Sequence, residues 1–196
     1  MRGRRLSSVM AFCAVLVARH AFAEPALSTE EAFRALGVAR SALPAGDLAI
    51  GPDEVRSLDA IFRVTDEVAP LNVSVSAWLR SNGRKGLHVA TYRERRADVR
   101  RRLDALTLPE RLVAVRQLLA EALQLQDGFV SEWADAIAAG QRFESQLTSE
   151  NGYHEGLHRA HRKLVQAFGE LRALYPGAAE ESQQVFRDHL RAMDFL

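Results

Sequence analysis

From Leu108 to Leu147, apolar side chains recur in steps of three and four residues. Counting in sevens from Leu112 gives Leu112, Val115, Leu119, Ala122, Gln126, Phe129, Trp133, Ala136, Gly140, Phe143 and Leu147, nine of them apolar. That spacing fits an amphipathic helix and no strand. Leu118, Leu123, Leu125, Val130 and Ile137 widen the stripe beyond the narrow seam of a two-stranded coiled coil, so the segment reads as the central helix of a globular bundle. Gly128 and Gly140 mark points of kinking or close helix crossing. Gln126, polar in an apolar seam, reads as a register device.

The flanking segments carry the same periodicity in shorter runs. Ser28 with Glu31 spells a capping box ahead of Ala32, Phe33, Leu36, Val38 and Ala39, and Pro44-Ala45-Gly46 stops that helix. Gly51-Pro52-Asp53-Glu54 opens a second helix whose face is Val55, Leu58, Ile61, Phe62, Thr65 and Val68, ended or kinked by Pro70. Leu71 to Ser76 alternates as a strand would. Nothing else in the chain alternates well enough to pair with it, so residues 71–79 are expected to be helical. A basic helix follows over Leu87–Leu106 with a thin apolar face of His88, Tyr92, Val99, Leu103 and Leu106. Two more helices span Tyr153–Tyr175 and Ala178–Phe195. The expected fold is all-α, an antiparallel helical bundle of about five or six helices around one long central helix.

Composition alters the picture mainly at the N-terminus. Arg2, Arg4 and Arg5 precede an apolar run from Val9 to Ala18 and then Ala21-Phe22-Ala23, the layout of a cleavable export signal over residues 1–23. Ten apolar residues are too few for a span, which leaves residues 24–196 as one helical-bundle domain, periplasmic or secreted. The mature chain loses four arginines and no acid, leaving 22 basic residues against 25 acidic and a formal charge of −3. It also loses Cys13, the only cysteine. Disulfides, thiolate nucleophiles and thiolate metal sites are thereby excluded, as is covalent c-type haem.

Two clusters carry candidate chemistry. His154-Glu155-Gly156-Leu157-His158 is an H-E-x-x-H pattern inside an expected helix, and His161 extends its histidine face. On a helix the two outer histidines share a face and can hold Zn²⁺, with Glu155 as general base toward a metal-bound water. In these five residues the segment resembles the zincin metalloproteases. It departs from the metzincin continuation, with His161 in place of the glycine and Leu164 in place of the third histidine. A second reading keeps a zinc, copper or haem site on His154, His158 and His161 without hydrolysis. The bland reading leaves them partly solvated, and leaves His189 a hydrogen-bonded core residue using Asp188 or Gln184.

The other cluster is the arginine helix. Arg93, Arg96, Arg100, Arg101 and Arg102 are candidates for meeting an anionic lipid, lipopolysaccharide or acidic protein surface outside the cytoplasm. Interleaved Glu94 and Asp98, the spread of arginines around the helix and the export signal argue against nucleic acid. The competing reading pairs them with the acids Asp53, Glu54, Asp59, Asp66 and Glu67. The chain as a whole reads as an exported, non-catalytic binding, adaptor or envelope-associated protein.

Overall fold

The computed structural model describes residues 27–44, 46–47, 49–141 and 155–194. Residues 1–23, expected to be an export signal, and His154 lie outside them. Every regular element among the described residues is helical: α1 (Thr29–Ala35), α2 (Pro52–Thr65), a 3₁₀ turn (Asp66–Val68), α3 (Ala69–Arg80), α4 (Val89–Asp104), α5 (Glu110–Ala138), α6 (Glu155–Leu174) and α7 (Glu180–Met193). No helix among them is long and apolar enough to cross a membrane.

α5 is the spine. Leu112, Val115, Leu119, Ala122, Gln126, Phe129 and Trp133 are all buried, as their spacing predicts. α4 and α6 run antiparallel to it. On one side Arg96 reaches Leu123 and Asp127, while Arg116 reaches back to the carbonyls of Asp104 and Leu106. On the other, Lys163 pairs with Glu121 and the Arg111 guanidinium lies 5.1 Å from the Tyr175 ring.

The spine is shorter than its sequence period suggests. Gly140 adopts a left-handed conformation (φ 85°), its amide and that of Gln141 return to Ile137 and Ala136, and the helix closes there. Gly140 is therefore a terminator and not an interior kink, and Phe143 and Leu147 lie outside the described residues. Gly128 sits within a continuous α5 with nothing within 4 Å of where a Cβ would stand, so no close crossing depends on it.

The stretch that alternates in sequence is helical. Leu71, Asn72, Val75, Trp78 and Leu79 are buried at helical spacing, and the Ser74 hydroxyl turns back to the Pro70 carbonyl. Pro70 lies in the first turn of α3, where its missing amide costs nothing, and the 3₁₀ turn bends the α2–α3 connection. α1 begins with the capping box: the Ser28 hydroxyl accepts from the Glu31 amide and the Glu31 carboxylate accepts from the Ser28 amide.

A polar layer divides the core. One apolar cluster runs along Leu103, Leu112, Leu119, Leu123, Leu164 and Leu171; a second gathers Val75, Trp78, Tyr92, Phe129, Val130 and Trp133. Between them lies Arg96, 1% exposed, donating to Asp127 Oδ1 (2.7 Å), the Leu123 carbonyl (2.8 Å) and Gln126 Oε1 (3.0 Å). Gln126 Nε2 in turn donates to the Met193 carbonyl at the end of α7 (2.7 Å). Asn72 of α3 does the same for Ala192 (3.1 Å). Two of the four carbonyls that a helix C-terminus leaves unpaired are thus satisfied by buried amides from other helices. At the opposite end, Asp47 accepts from the Ala179 amide and the Ser182 hydroxyl, serving α7 as a remote N-cap. The Ser182 hydroxyl is the chief reason its carboxyl is held below the usual range.

Candidate functional site

The sequence directs attention first to the histidine stripe. Glu155 opens α6, is solvent-exposed and pairs with Arg162. His161 is half-buried, and its Nδ1 lies 2.6 Å from Asp194 Oδ2 in the segment after α7. His158 is half-buried one turn before. Among the described residues no three histidines or acids are grouped so as to hold a metal ion. A carboxylate on one imidazole nitrogen also suits an ordinary helix-to-helix tie, and Asp194 serves as one here between α6 and the end of α7.

The arginine helix separates into three fates. Tyr92, Arg96, Val99 and Leu103 form its inward face, so Arg96 is withdrawn from solvent and forms part of the polar layer. Its guanidinium also lies 5.6 Å from the Tyr92 ring, and burial pushes the Tyr92 phenol well up. Arg100, Arg101 and Arg102 are on the surface but neutralised, by Asp127, by Asp98, and by Glu67 with Asp98 respectively. Arg93 and Arg95 are exposed with no acidic partner among the described residues. His88, expected on the apolar side, is exposed at the N-cap, where its Nδ1 accepts from the Thr91 amide.

Arg95 lines an open cleft of about 900 Å³ between the start of α1, α2 and α4. Arg40, Arg63 and Arg101 also line it, opposed by Glu67, Glu94 and Asp98, with Leu27 exposed at its edge. Arg63, from α2, likewise has no acidic partner among the described residues. A smaller pocket of about 270 Å³ shares Arg40 and Arg63 with this cleft and reaches His189.

His189 sits in a buried polar arrangement with Asp66, Ser41 and Arg40. Its side chain is 5% exposed and that of Asp66, in the 3₁₀ turn, 2%. Nδ1 lies 2.6 Å from Asp66 Oδ1 and Nε2 lies 2.8 Å from the Ser41 carbonyl oxygen. Asp66 Oδ2 accepts from Arg40 Nε (2.7 Å), and Arg40 Nη1 donates to Glu30 of α1 (2.5 Å). The imidazole stacks on Phe62 (4.4 Å, 6°) and meets Phe33 edge-on (5.6 Å). Burial is the largest single influence on its pKa and pushes it down. The Asp66 hydrogen bond and charge, with the Ser41 carbonyl, outweigh that and hold it above the ordinary value.

Aspartate, histidine and serine in this order invite a hydrolase reading, which the geometry turns away. The atom facing Nε2 is the main-chain oxygen of Ser41, an acceptor, whereas a general base must face a hydroxyl donor. Acceptors stand at both nitrogens, an arrangement that suits a structural ring donating from each.

The core role expected for His189 holds, but its partners are Asp66 and Ser41. Gln184 bonds Asp188 instead. Asp66, read from the sequence only as an acid facing the arginine helix, pairs instead with Arg40 and His189. It follows Phe62 by four and Leu58 by eight, so it stands in the apolar stripe of α2, and that misplaced acid was the available signal.

No protein-family model matches this chain, and no curated protein or solved structure is significantly similar to it. The functional reading rests on the site alone.

Proposed function

We propose that this chain is an exported, non-catalytic bundle protein that associates with an anionic, phosphate-bearing envelope surface through the α2–α4 cleft. The observation that carries the reading is a set of cations left unneutralised on one stretch of chain. From Arg80 to Arg102 there are nine basic residues and two acids. Arg96, Arg100, Arg101 and Arg102 are ion-paired. Arg80, Arg84, Lys85, Arg93 and Arg95 have no acidic partner among the described residues, and Arg63 joins them from α2. Juxtamembrane cations of this kind contribute on the order of 1 kcal/mol each near an anionic leaflet. The exposed Leu27 at the cleft edge adds an apolar contact of the sort interfacial proteins use.

The test is cosedimentation of the mature chain with phosphatidylglycerol vesicles against phosphatidylcholine vesicles at low and moderate salt. Binding to the anionic vesicles is expected to weaken with salt, and to fall at least about tenfold in the Arg63→Glu/Arg95→Glu variant. Equal affinity for both lipids, or an unchanged double variant, would overturn the proposal. Selective capture of an acidic peptide such as polyglutamate in place of vesicles would move the partner to the protein class and overturn it equally.

A further inference from the structure

We infer that the Arg40–Asp66–His189 chain is a proton-operated clasp, which sets whether α1 and the loop after it stay docked on the bundle.

The two ring nitrogens of His189 face two oxygens, Asp66 Oδ1 and the Ser41 carbonyl. A neutral imidazole carries one N–H, so only the protonated ring serves both acceptors. Charge balance asks for the same state. The groups facing the ring are Asp66 from the 3₁₀ turn, Arg40 from the loop, Glu30 from α1 beyond it, and Asp59 and Arg63 from α2. On α7 itself Asp188, adjacent in sequence, is engaged by Gln184. Three acids face two arginines, and the imidazolium brings that set to neutrality.

When the ring loses its proton to solvent, the remaining N–H stays with the stronger acceptor, the Asp66 carboxylate. The Nε2 lone pair then confronts the Ser41 oxygen, and the tie to the loop turns repulsive. What that tie holds is a weakly anchored element. α1 is seven residues long and sends Ala32 and Phe33 into a small cluster with Ala69 and Ala192; Leu36 and Val38 pack on that cluster only partly buried, and over residues 36–43 the chain reaches the main core only at Leu43. Its other connection inward, Glu30 to Arg40 to Asp66, ends on the same carboxylate. Segments with so little buried apolar surface open at low free-energy cost. Leu27, Ser28, Thr29 and Arg40 line the α2–α4 cleft, so undocking this segment also removes one wall of that cleft. This last consequence rests on the cleft being the binding face; the clasp itself does not.

The sign follows from the raised pKa of His189. The ring's stabilising contribution is complete below its unfolded value of about 6.5 and is lost as pH rises through the folded value. The clasp is closed below the folded value and opens as pH rises through it.

The test is an NMR titration of the His189 ring in the full chain, assigned with His189→Gln, alongside hydrogen exchange across the same pH range. The expected midpoint lies above about 6.5. Amide protection over residues 32–43, corrected for intrinsic exchange, is expected to fall by up to about tenfold per pH unit between about 6.5 and that midpoint and to level off above it, while α5 is unchanged. A midpoint at or below the ordinary value, flat protection across it, or the same loss in His189→Gln would overturn the inference. Should that variant not fold, Arg40→Met provides a second reading: it is expected to lower α1 protection and to raise the ring's midpoint, since Arg40 opposes the imidazolium charge. An unmoved midpoint there would overturn it too. If the clasp titrates as stated while anionic vesicles are not bound, the envelope reading falls and the clasp stands.

Discussion

Two charged clusters are buried in this bundle, and they differ in the one property that matters for switching. In the mid-bundle layer the cation is Arg96, which keeps its charge at any accessible pH and lies sealed between apolar layers. Near the surface the cation is His189, whose charge depends on pH and which borders an open pocket. Both clusters join α7 to the rest of the molecule, the first through Gln126 and Met193, the second through Asp66. One is a permanent joint and the other a conditional one. A buried charge is expensive in either case, so its retention points to specification of a single packing over alternatives.

The largest expected effect comes from breaking the permanent joint. Arg96→Ala leaves the buried faces of Gln126 and Asp127 without their donor and opens a cavity beside Tyr92. It is expected to cost about 3–5 kcal/mol in urea unfolding, and a loss under about 1 kcal/mol would show that the layer does not hold the bundle.

The comparison sharpens when pH is varied. The stability gap between wild type and His189→Gln is expected to be full below about pH 6.5, at roughly 1.4 kcal/mol for each unit by which the ring is raised, and to close as pH rises through the folded value. The gap between wild type and Arg96→Met is expected to stay level over the same range. Parallel pH profiles for the two variants would erase the distinction between the joints.

A smaller effect is expected at the link between layer and helix end. Gln126→Leu removes the donor to Met193 and the acceptor of Arg96, for about 1–3 kcal/mol by the same unfolding assay.

The bundle was legible because its apolar stripes are wide and its helix starts are well marked. Ser28 with Glu31, Pro52, and the buried series from Leu112 to Trp133 all lie where the pattern put them. The alternation over residues 71–76 yielded to tertiary context, as a lone strand has no partner and Asn72 finds Ala192 only in a helix. The end of α5 was misread because an apolar period continues past Gly140 and says nothing of the left-handed turn there. The site was half legible. Asp66, Arg96, Gln126 and His189 each occupy an apolar-stripe position, and that intrusion marks them as partnered. Which intruder meets which was hidden, since Asp66 and His189 are 123 residues apart and Arg96 and Gln126 thirty. The histidine motif over 154–158 drew notice through a short pattern, while Arg40, Asp66 and His189 converge with no motif at all.

The two amides that seal the end of α7 have a consequence for the order in which the molecule is completed. Asn72 and Gln126 find their acceptors at Ala192 and Met193, 120 and 67 residues downstream. In a chain made from its N-terminus those acceptors follow both donors. Until then α3 and α5 hold unmet donors within their apolar faces, and closing the two layers together is discouraged. Final closure of the two layers thereby waits on α7.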